Sequence, residues 1–152
     1  MNKKTISILF CVLLILTILI GCTAKNPTLS LTFNDAGDVC TYKGPDKFQY
    51  GTFTLNLVQG KNPAGTIGYA IVTLAEGKTV DDLKAWNSTD TPPFATVLTY
   101  GGPYSQDSNF DFDLSKMADY VQGKPLYLAC FSQAKGGEIK AVGNFGPIDI
   151  KQ

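Results

Sequence analysis

Hydrophobic and polar residues alternate along several short segments of this chain. The clearest is residues 51–58, GTFTLNLV, in which apolar side chains occupy every second position from 53 to 57. A period of two predicts a β-strand with one buried face and one exposed face. Residues 29–33 alternate in the same way, whereas residues 66–74, TIGYAIVTL, are almost continuously apolar and predict a more deeply buried strand.

Other short apolar segments follow along the chain. Glycine, proline, asparagine and aspartate lie between them, and these residues favour turns. Short strands separated by frequent turns are typical of all-β proteins. The additional predicted strands are residues 39–42, 95–100, 109–114, 125–131 and 146–150.

The hydrophobic period changes between residues 76 and 88, where the sequence predicts one short helix. Thr79 can cap its N-terminus, and Asp81 and Asp82 would lie in its first turn, where negative charge is favourable. The apolar residues on one helical face are Val80, Leu83 and Trp86. About eight strands with one short helix inserted mid-chain predict an all-β fold, a Greek-key β-sandwich.

The N-terminal segment predicts processing rather than fold. Lys3 and Lys4 precede an apolar run over residues 6–20, which is short for a membrane span and typical of a secretory signal. The sequence Leu-Ile-Gly-Cys at 19–22 resembles the lipobox of bacterial lipoproteins. That resemblance implies cleavage before Cys22 and lipid on both its thiol and its new amino group. The alternative is an uncleaved signal anchor.

This interpretation divides the chain into a signal peptide (1–21), a lipid-anchored tether (22–28) and one folded domain (29–152). The mature protein is expected outside the cytoplasm, held to a membrane of the bacterial cell envelope through lipid on Cys22. Firm attachment needs more than one acyl chain, and lipoproteins carry that many.

Composition excludes several functional classes. The chain has no histidine and, since all 13 basic residues are lysine, no arginine. A Ser-His-Asp or Cys-His catalytic group and an ordinary zinc or copper site are therefore missing, and so is a bidentate arginine clamp for phosphate. Without Lys3 and Lys4 the mature chain is slightly acidic, so no basic surface would attract nucleic acid. We expect no enzymatic activity and no cofactor.

The C-terminal region resembles the ligand loop of cupredoxins. A strand that leads to Cys130 is followed by a loop and by GNFGPIDI at 143–150, and both the TFTLNLV strand and the mid-chain helix fit that family. The resemblance implies a cupredoxin-like sandwich with Cys130 at the end of its strand, at the position of the copper thiolate. The histidine position falls near Glu138 and the axial methionine position on Asn144, so the implied domain lacks the copper ligands.

Two cysteines remain in the mature domain. Of the 4 in the chain, Cys11 is removed with the signal peptide and Cys22 carries lipid, which leaves Cys40 and Cys130. Both lie on or at the ends of predicted strands, in a compartment where disulfides persist, so we predict a disulfide between them. The alternatives are two separate buried thiols, or one redox-active or catalytic thiol.

Acidic residues in and just before the predicted strand 109–114 are weak calcium candidates. Asp107, Asp111 and Asp113 supply the oxygen ligands that Ca²⁺ prefers, but their spacing matches no EF-hand loop. The other interpretation is a solvated strand face opposite buried Phe110 and Phe112.

A group of aromatic residues is the candidate ligand surface. Aromatic side chains in loops can stack on sugar rings or fill a pocket of a protein partner. The alternative is that they pack the helix onto the sandwich. These residues are Trp86, Phe94, Tyr100 and Tyr104.

The sequence therefore predicts a lipid-anchored, non-enzymatic binding or structural module of the cell envelope, with a protein or glycan partner. One alternative is a carbohydrate-binding module that uses the 86–104 region, and a second is an electron-transfer or metal-handling protein. The assignment of a role from fold resemblance is analogy, because one fold supports many functions.

Overall fold

The computed structural model of this chain describes residues 26–61, 65–86, 90–117, 121 and 123–151. The predicted signal peptide and its lipidation site Cys22 lie outside these residues. Within them, no helix has the length and hydrophobicity needed to span a bilayer. The strands are β1 (Thr28–Phe33), β2 (Cys40–Lys43), β3 (Lys47–Gln49), β4 (Thr52–Val58), β5 (Gly65–Leu74), β6 (Ala95–Tyr104), β7 (Ser108–Asp113), β8 (Leu126–Ala134) and β9 (Ile139–Lys151).

The strands form two sheets. The four-stranded sheet has the order β2-β1-β4-β7, and the five-stranded sheet has the order β3-β9-β8-β5-β6. β1 pairs with β4 in parallel and β3 pairs with β9 in parallel, while the other pairs are antiparallel, so both sheets are mixed. The predicted all-β, sandwich-like fold with one short helix is confirmed.

The core lies between the two sheets and follows the alternation of the sequence. In β4, Phe53, Leu55 and Leu57 point inward and are almost completely buried. Leu126 and Leu128 of β8 meet them from the five-stranded sheet and are equally buried. Burial of each such side chain favours folding by about 1.5 to 3 kcal/mol, which makes this layer the main source of stability.

Strand β5 is buried on both faces, as its continuous apolar sequence predicts. Ile71 faces the other sheet, while Val72 and Leu74 face the opposite side of β5. On that side they contact Leu83 of the short helix α1 (Val80–Ala85).

Helix α1 begins with the predicted cap. The Thr79 hydroxyl accepts a hydrogen bond from Asp81 N (3.3 Å), and the Asp82 carboxylate accepts one from Thr79 N (2.8 Å). These reciprocal bonds satisfy N–H groups that the first turn of a helix leaves without partners. The helix ends at Ala85, and its C-cap residue Trp86 lies beside the five-stranded sheet.

A disulfide joins the two sheets. Cys40 starts β2 in one sheet and Cys130 lies within β8 of the other, with their Cα atoms 6.4 Å apart. Both side chains belong to the core. Gly143 lies against this bridge, since a Cβ there would come within 3.1 Å of Cys40 Cβ and 2.9 Å of the Phe145 ring. Close packing therefore explains why the first residue of the GNFG segment, Gly143, is a glycine.

Strand β1 fixes the point where the chain enters the domain. The carbonyl oxygen of Pro27 accepts a hydrogen bond from Thr54 N (2.9 Å), and Thr28 is paired with Thr54 in the parallel register. The chain is thus held against the first residues of β4 from Pro27 onward.

Several predicted strand boundaries are wrong. β8 continues four residues beyond Cys130 to Ala134, and β9 starts at Ile139 rather than 146. The polar residues in this part of the hairpin show little alternation of apolar and polar side chains, so the sequence did not indicate a strand there. Backbone pairing between β8 and β9 holds these residues in the sheet. β3 was not predicted, and β6 continues beyond its predicted end at 100 through Gly101, Gly102 and Pro103 to Tyr104.

The disulfide yields a stability prediction. A bridge that spans 90 residues is expected to stabilise the folded state by about 4 to 5 kcal/mol, because it restricts the unfolded chain. Reductant should therefore lower the melting temperature of the full-length protein in detergent by more than about 10 °C. The measurement is thermal unfolding followed by circular dichroism.

The double substitution Cys40→Ala, Cys130→Ala is the control, and its melting temperature should not respond to reductant. A wild-type melting temperature that is unchanged by reductant, with both thiols alkylated before reduction, would contradict the bridge.

Candidate functional site

The five-stranded sheet has an outer face, turned away from the core, that is only partly covered. The antiparallel register places residues of four strands side by side on this face. Tyr100 lies opposite Ala70, Gly68 lies opposite Phe131, and Phe131 lies opposite Ala141. We call this the outer face, and the residues on it include Thr66, Gly68, Ala70, Val72, Val97, Tyr100, Ala129, Phe131, Gln133, Ile139, Ala141 and Asn144.

Large hydrophobic side chains are unusually exposed on the outer face. Tyr100 is 78% exposed, Ile139 49% and Val97 36%. Among the described residues the same degree of exposure is reached by one other large hydrophobic residue, Val39, which lies in the turn before β2. The concentration of three such residues on one face of one sheet distinguishes it from an ordinary protein surface.

A groove of about 270 Å³ crosses the outer face near the start of β5. Tyr100 and Phe131 form its two aromatic sides, and Gly68 lies on the strand between them. A Cβ at Gly68 would come within 2.8 Å of the carbonyl oxygen of Gly101, so the close approach of β5 and β6 demands glycine there. Gly68 is itself buried, so backbone of β5 and β6 bounds the groove on this side.

A smaller hollow of about 80 Å³ lies beside the groove, toward helix α1. Trp86 and Val97 line it, and Phe131 lines both the hollow and the groove. Trp86 packs edge-on against Phe94 with the ring centres 6.0 Å apart, and its indole N–H donates to Asp90 O (2.9 Å). Trp86 is thus fixed in position at the margin of the outer face.

The structure separates Tyr104 from the other three predicted ligand residues. Its ring stacks against Tyr69 (centres 6.5 Å apart) and lies 5.1 Å from the ring centre of Phe110, between the two sheets. Burial is the main cause that raises the pKa of Tyr69, and the neighbouring Tyr104 raises it further. Phe94 packs against the buried layer at helix α1 and Trp86 is half-buried against Phe94, so Tyr100 is the fully exposed residue among the four candidates.

The three acidic candidates for calcium have separate partners. Asp107 accepts from Gln59 N (2.7 Å), and Asp111 accepts from the Thr54 hydroxyl across the sheet (2.7 Å). Asp113 accepts from the hydroxyl and N–H of the next-but-one residue, Ser115, and these bonds lower its pKa. Within the described part of the chain, no three acidic or cysteine side chains come together as a metal-binding group.

The copper-ligand positions implied by the cupredoxin resemblance are not assembled. The sulfur of Cys130 is bonded to Cys40 and completely buried, so Cys130 provides no thiolate. Asn144 pairs with Ala129, which places it on the outer face, whereas Cys130 points into the core. Glu138 lies in the exposed turn of the β8–β9 hairpin.

Sequence reasoning missed Val97, Phe131 and Ile139. Val97 and Phe131 lie in predicted strands, where apolar residues were assigned to burial, and residue 139 lay in a predicted loop. Their proximity follows from the pairing of β6, β5, β8 and β9, and no pattern within one segment indicates it.

Aromatic substitutions should separate the outer face from the core. Tyr104→Ala removes a ring packed between the sheets and should lower the free energy of unfolding by about 2 to 3 kcal/mol. Tyr100→Ala removes an exposed ring and should cost less than about 1 kcal/mol. Urea denaturation of the two full-length variants measures the difference. Equal losses of stability would show that the two tyrosines are not in different environments.

No protein-family model matches this chain, and no curated protein matches it at significant similarity. The features that bear on its function are therefore its own. They are the uncovered outer face, the disulfide that closes the sandwich, and the N-terminal sequence that precedes the described domain.

Proposed function

We propose that this protein is a lipid-anchored, extracytoplasmic binding module with no enzymatic activity, and that its ligand surface is the outer face. The observation that carries the proposal is the exposure of Tyr100 and Ile139 at the groove beside Phe131, together with that of Val97 at the adjoining hollow. The partner is a component of the cell envelope, a protein or a glycan, held close to the membrane by lipid on Cys22.

Exposed hydrophobic clusters favour binding because they lower the free energy when a partner removes them from water. The outer face is also well supported from behind. Ile67, Tyr69 and Ile71, which alternate with outer-face residues along β5, are buried in the core behind it, and the strands on both sides of β5 hold it in register. A rigid surface loses little conformational entropy when it binds, which favours affinity.

A non-catalytic role agrees with the chemistry of the groove. Thr66, Ser132 and Gln133 provide hydroxyl and amide groups, and none of the side chains that line the groove is charged. General acid-base catalysis needs a group that can gain or lose a proton near neutral pH. The groove can bind and orient a ligand, but its lining offers no such group.

The cupredoxin-like resemblance also enters this proposal. A two-sheet sandwich with a helix inserted mid-chain agrees with it, and the engagement of Cys130 in a disulfide agrees with a domain that lacks the copper ligands. Copper binding to a free thiolate at Cys130 would require that disulfide to be broken first.

The anchoring part of the proposal predicts that Cys22 is lipidated. Cys22→Ser should abolish incorporation of a labelled fatty acid and block processing to the mature mass, because the modified thiol is gone. Cell fractionation and mass spectrometry measure both effects. Retention of Cys22→Ser in membranes at the mature mass would refute lipid anchoring.

The binding part predicts that the outer face recognises envelope material. Full-length protein in detergent should co-sediment with an insoluble envelope fraction of its host in a saturable manner. The double substitution Tyr100→Ala, Ile139→Ser should reduce binding at least about tenfold, because both side chains lose their contact with the partner.

Val39→Ser is the matched control, since Val39 is an exposed hydrophobic residue outside the outer face. It should bind like the wild type. Binding that survives the double substitution would reject the outer face as the ligand surface.

A further inference from the structure

We propose that the outer edge of strand β6 pairs with the same edge of a second copy of this chain, forming an antiparallel dimer with two-fold symmetry. This interface goes beyond the proposed ligand-binding role of the outer face and does not require it. Three observations carry it. They are the hydrogen-bonding groups that β6 directs outward, the lack of charge along that strand, and a register in which exposed residues of the two copies meet.

Strand β6 lies at one end of the five-stranded sheet, and in the described part of the chain its one paired neighbour is β5. The other three edge strands have features that discourage edge-to-edge pairing. β2 and β3 have 4 and 3 residues and carry Lys43 and Lys47, and β7 carries Asp111 and Asp113. β6 has 10 residues and no charged side chain, so it is the edge best suited to accept another strand.

The backbone of β6 directs alternate residues toward β5 and away from it. Ala75 N donates a hydrogen bond to Phe94 O (2.8 Å), so the carbonyl group of Phe94 faces β5. Ala95 N donates to Pro92 O (2.9 Å) rather than to β5. By the alternation of an antiparallel ladder, Val97 also directs its N–H and C=O away from β5.

Tyr100 has the same backbone direction as Val97. The register shifts at Leu98, so that Val97 lies opposite Val72 and Tyr100 lies opposite Ala70, two positions away along β5. Two positions of a strand span about 6.8 Å, so Val97 and Tyr100 present their outward groups at the repeat of a regular ladder. The hydrogen bonds that described residues make outside the strand ladders include none from these two residues. A neighbouring β-strand supplies donors and acceptors at that repeat.

A second copy fits this edge in a self-complementary register. When two β6 strands run antiparallel with Val97 opposite Tyr100 of the second copy, two-fold symmetry also places Tyr100 opposite the second Val97. Both copies carry the shift at Leu98 between these positions, so the register is preserved. Val97 is 36% exposed and Tyr100 78%, and each would pack against an exposed hydrophobic side chain. Since β6 carries no charge, no like charges oppose each other.

The predicted anchors are compatible with this dimer. Two edge strands that pair antiparallel form one continuous sheet, and their two-fold axis is normal to that sheet. The four-stranded sheets of both copies then lie on one side, and both outer faces lie on the other. Because β1, which follows the predicted tether, belongs to the four-stranded sheet, lipid on Cys22 of both copies can reach the same membrane.

The test is sedimentation equilibrium of the full-length protein in density-matched detergent, with micelles in large excess over protein. The wild type should form a concentration-dependent dimer. The double variant Val97→Lys, Tyr100→Lys should weaken the dimer at least about tenfold, because ammonium groups then oppose each other. Val97→Glu, Tyr100→Glu should weaken it equally through opposed carboxylates. An equimolar mixture of the two variants should restore dimers, since lysine then meets glutamate.

The substitution Val97→Pro tests the hydrogen bonds separately. It removes an N–H that points away from β5, so it should weaken the dimer at least about tenfold without loss of the β5–β6 pairing. Its melting temperature should equal that of the wild type at a concentration where the wild type is monomeric. Val39→Lys is the matched control for added charge, since Val39 is exposed outside β6, and it should dimerise like the wild type.

Three results would overturn the proposal. They are a wild type that is monomeric at every concentration, dimers that persist in both charge variants, and a mixture of those variants that forms no dimer. If the wild type is monomeric and Val97→Pro loses envelope co-sedimentation, the edge accepts a strand of an envelope protein instead of a second copy. Ile139→Ser lies outside β6 and should reduce envelope binding without changing the dimer, which separates this interface from the proposed function.

Discussion

Everything in this molecule depends on two sheets that pack face to face through one hydrophobic layer. Alternating residues of β4 supply one side of that layer, and β5 and β8 supply the other. The bridge from Cys40 to Cys130 joins the sheets covalently through β2 and β8, and the aromatic residues around Tyr69 and Phe110 join them through β5 and β7. Because the bridge and the aromatic contacts join the two sheets at different strands, the five-stranded sheet is held rigidly even though part of its outer face is uncovered.

The outer face shows how packing demands can produce a binding feature. Glycine is required at 68 because the backbone of β6 approaches too closely for any Cβ, and backbone rather than a side chain therefore bounds the groove there. Half-buried Phe131 lies beside Gly68, and exposed Tyr100 lies beside Ala70, two positions further along β5. Packing alone does not explain why three large hydrophobic residues remain in water there, and the proposed ligand does.

The sandwich and the capped helix could be predicted because they depend on local sequence signals. The disulfide could be predicted because two cysteines, Cys40 and Cys130, remain in the mature domain once Cys11 and Cys22 are set aside. The alternation of Phe53, Leu55 and Leu57, for example, is a property of one segment and already assigns its buried face. The groove was not predictable, because Tyr100 and Phe131 become neighbours only through the strand order. Tyr104 was grouped with Tyr100 by proximity in sequence, yet the register turns its ring toward the core.

Under the proposed lipidation of Cys22, the contact between Pro27 and Thr54 determines which end of the domain lies near the bilayer. Pro27 follows Cys22 by five positions, so a lipid at Cys22 leaves the domain within about 17 Å of its attachment point. β4 runs away from this entry point, and β5, with 10 residues, begins at the far end, beside the groove. A strand of that length spans about 33 Å, so the groove would lie at the end of the domain that is distant from the proposed anchor.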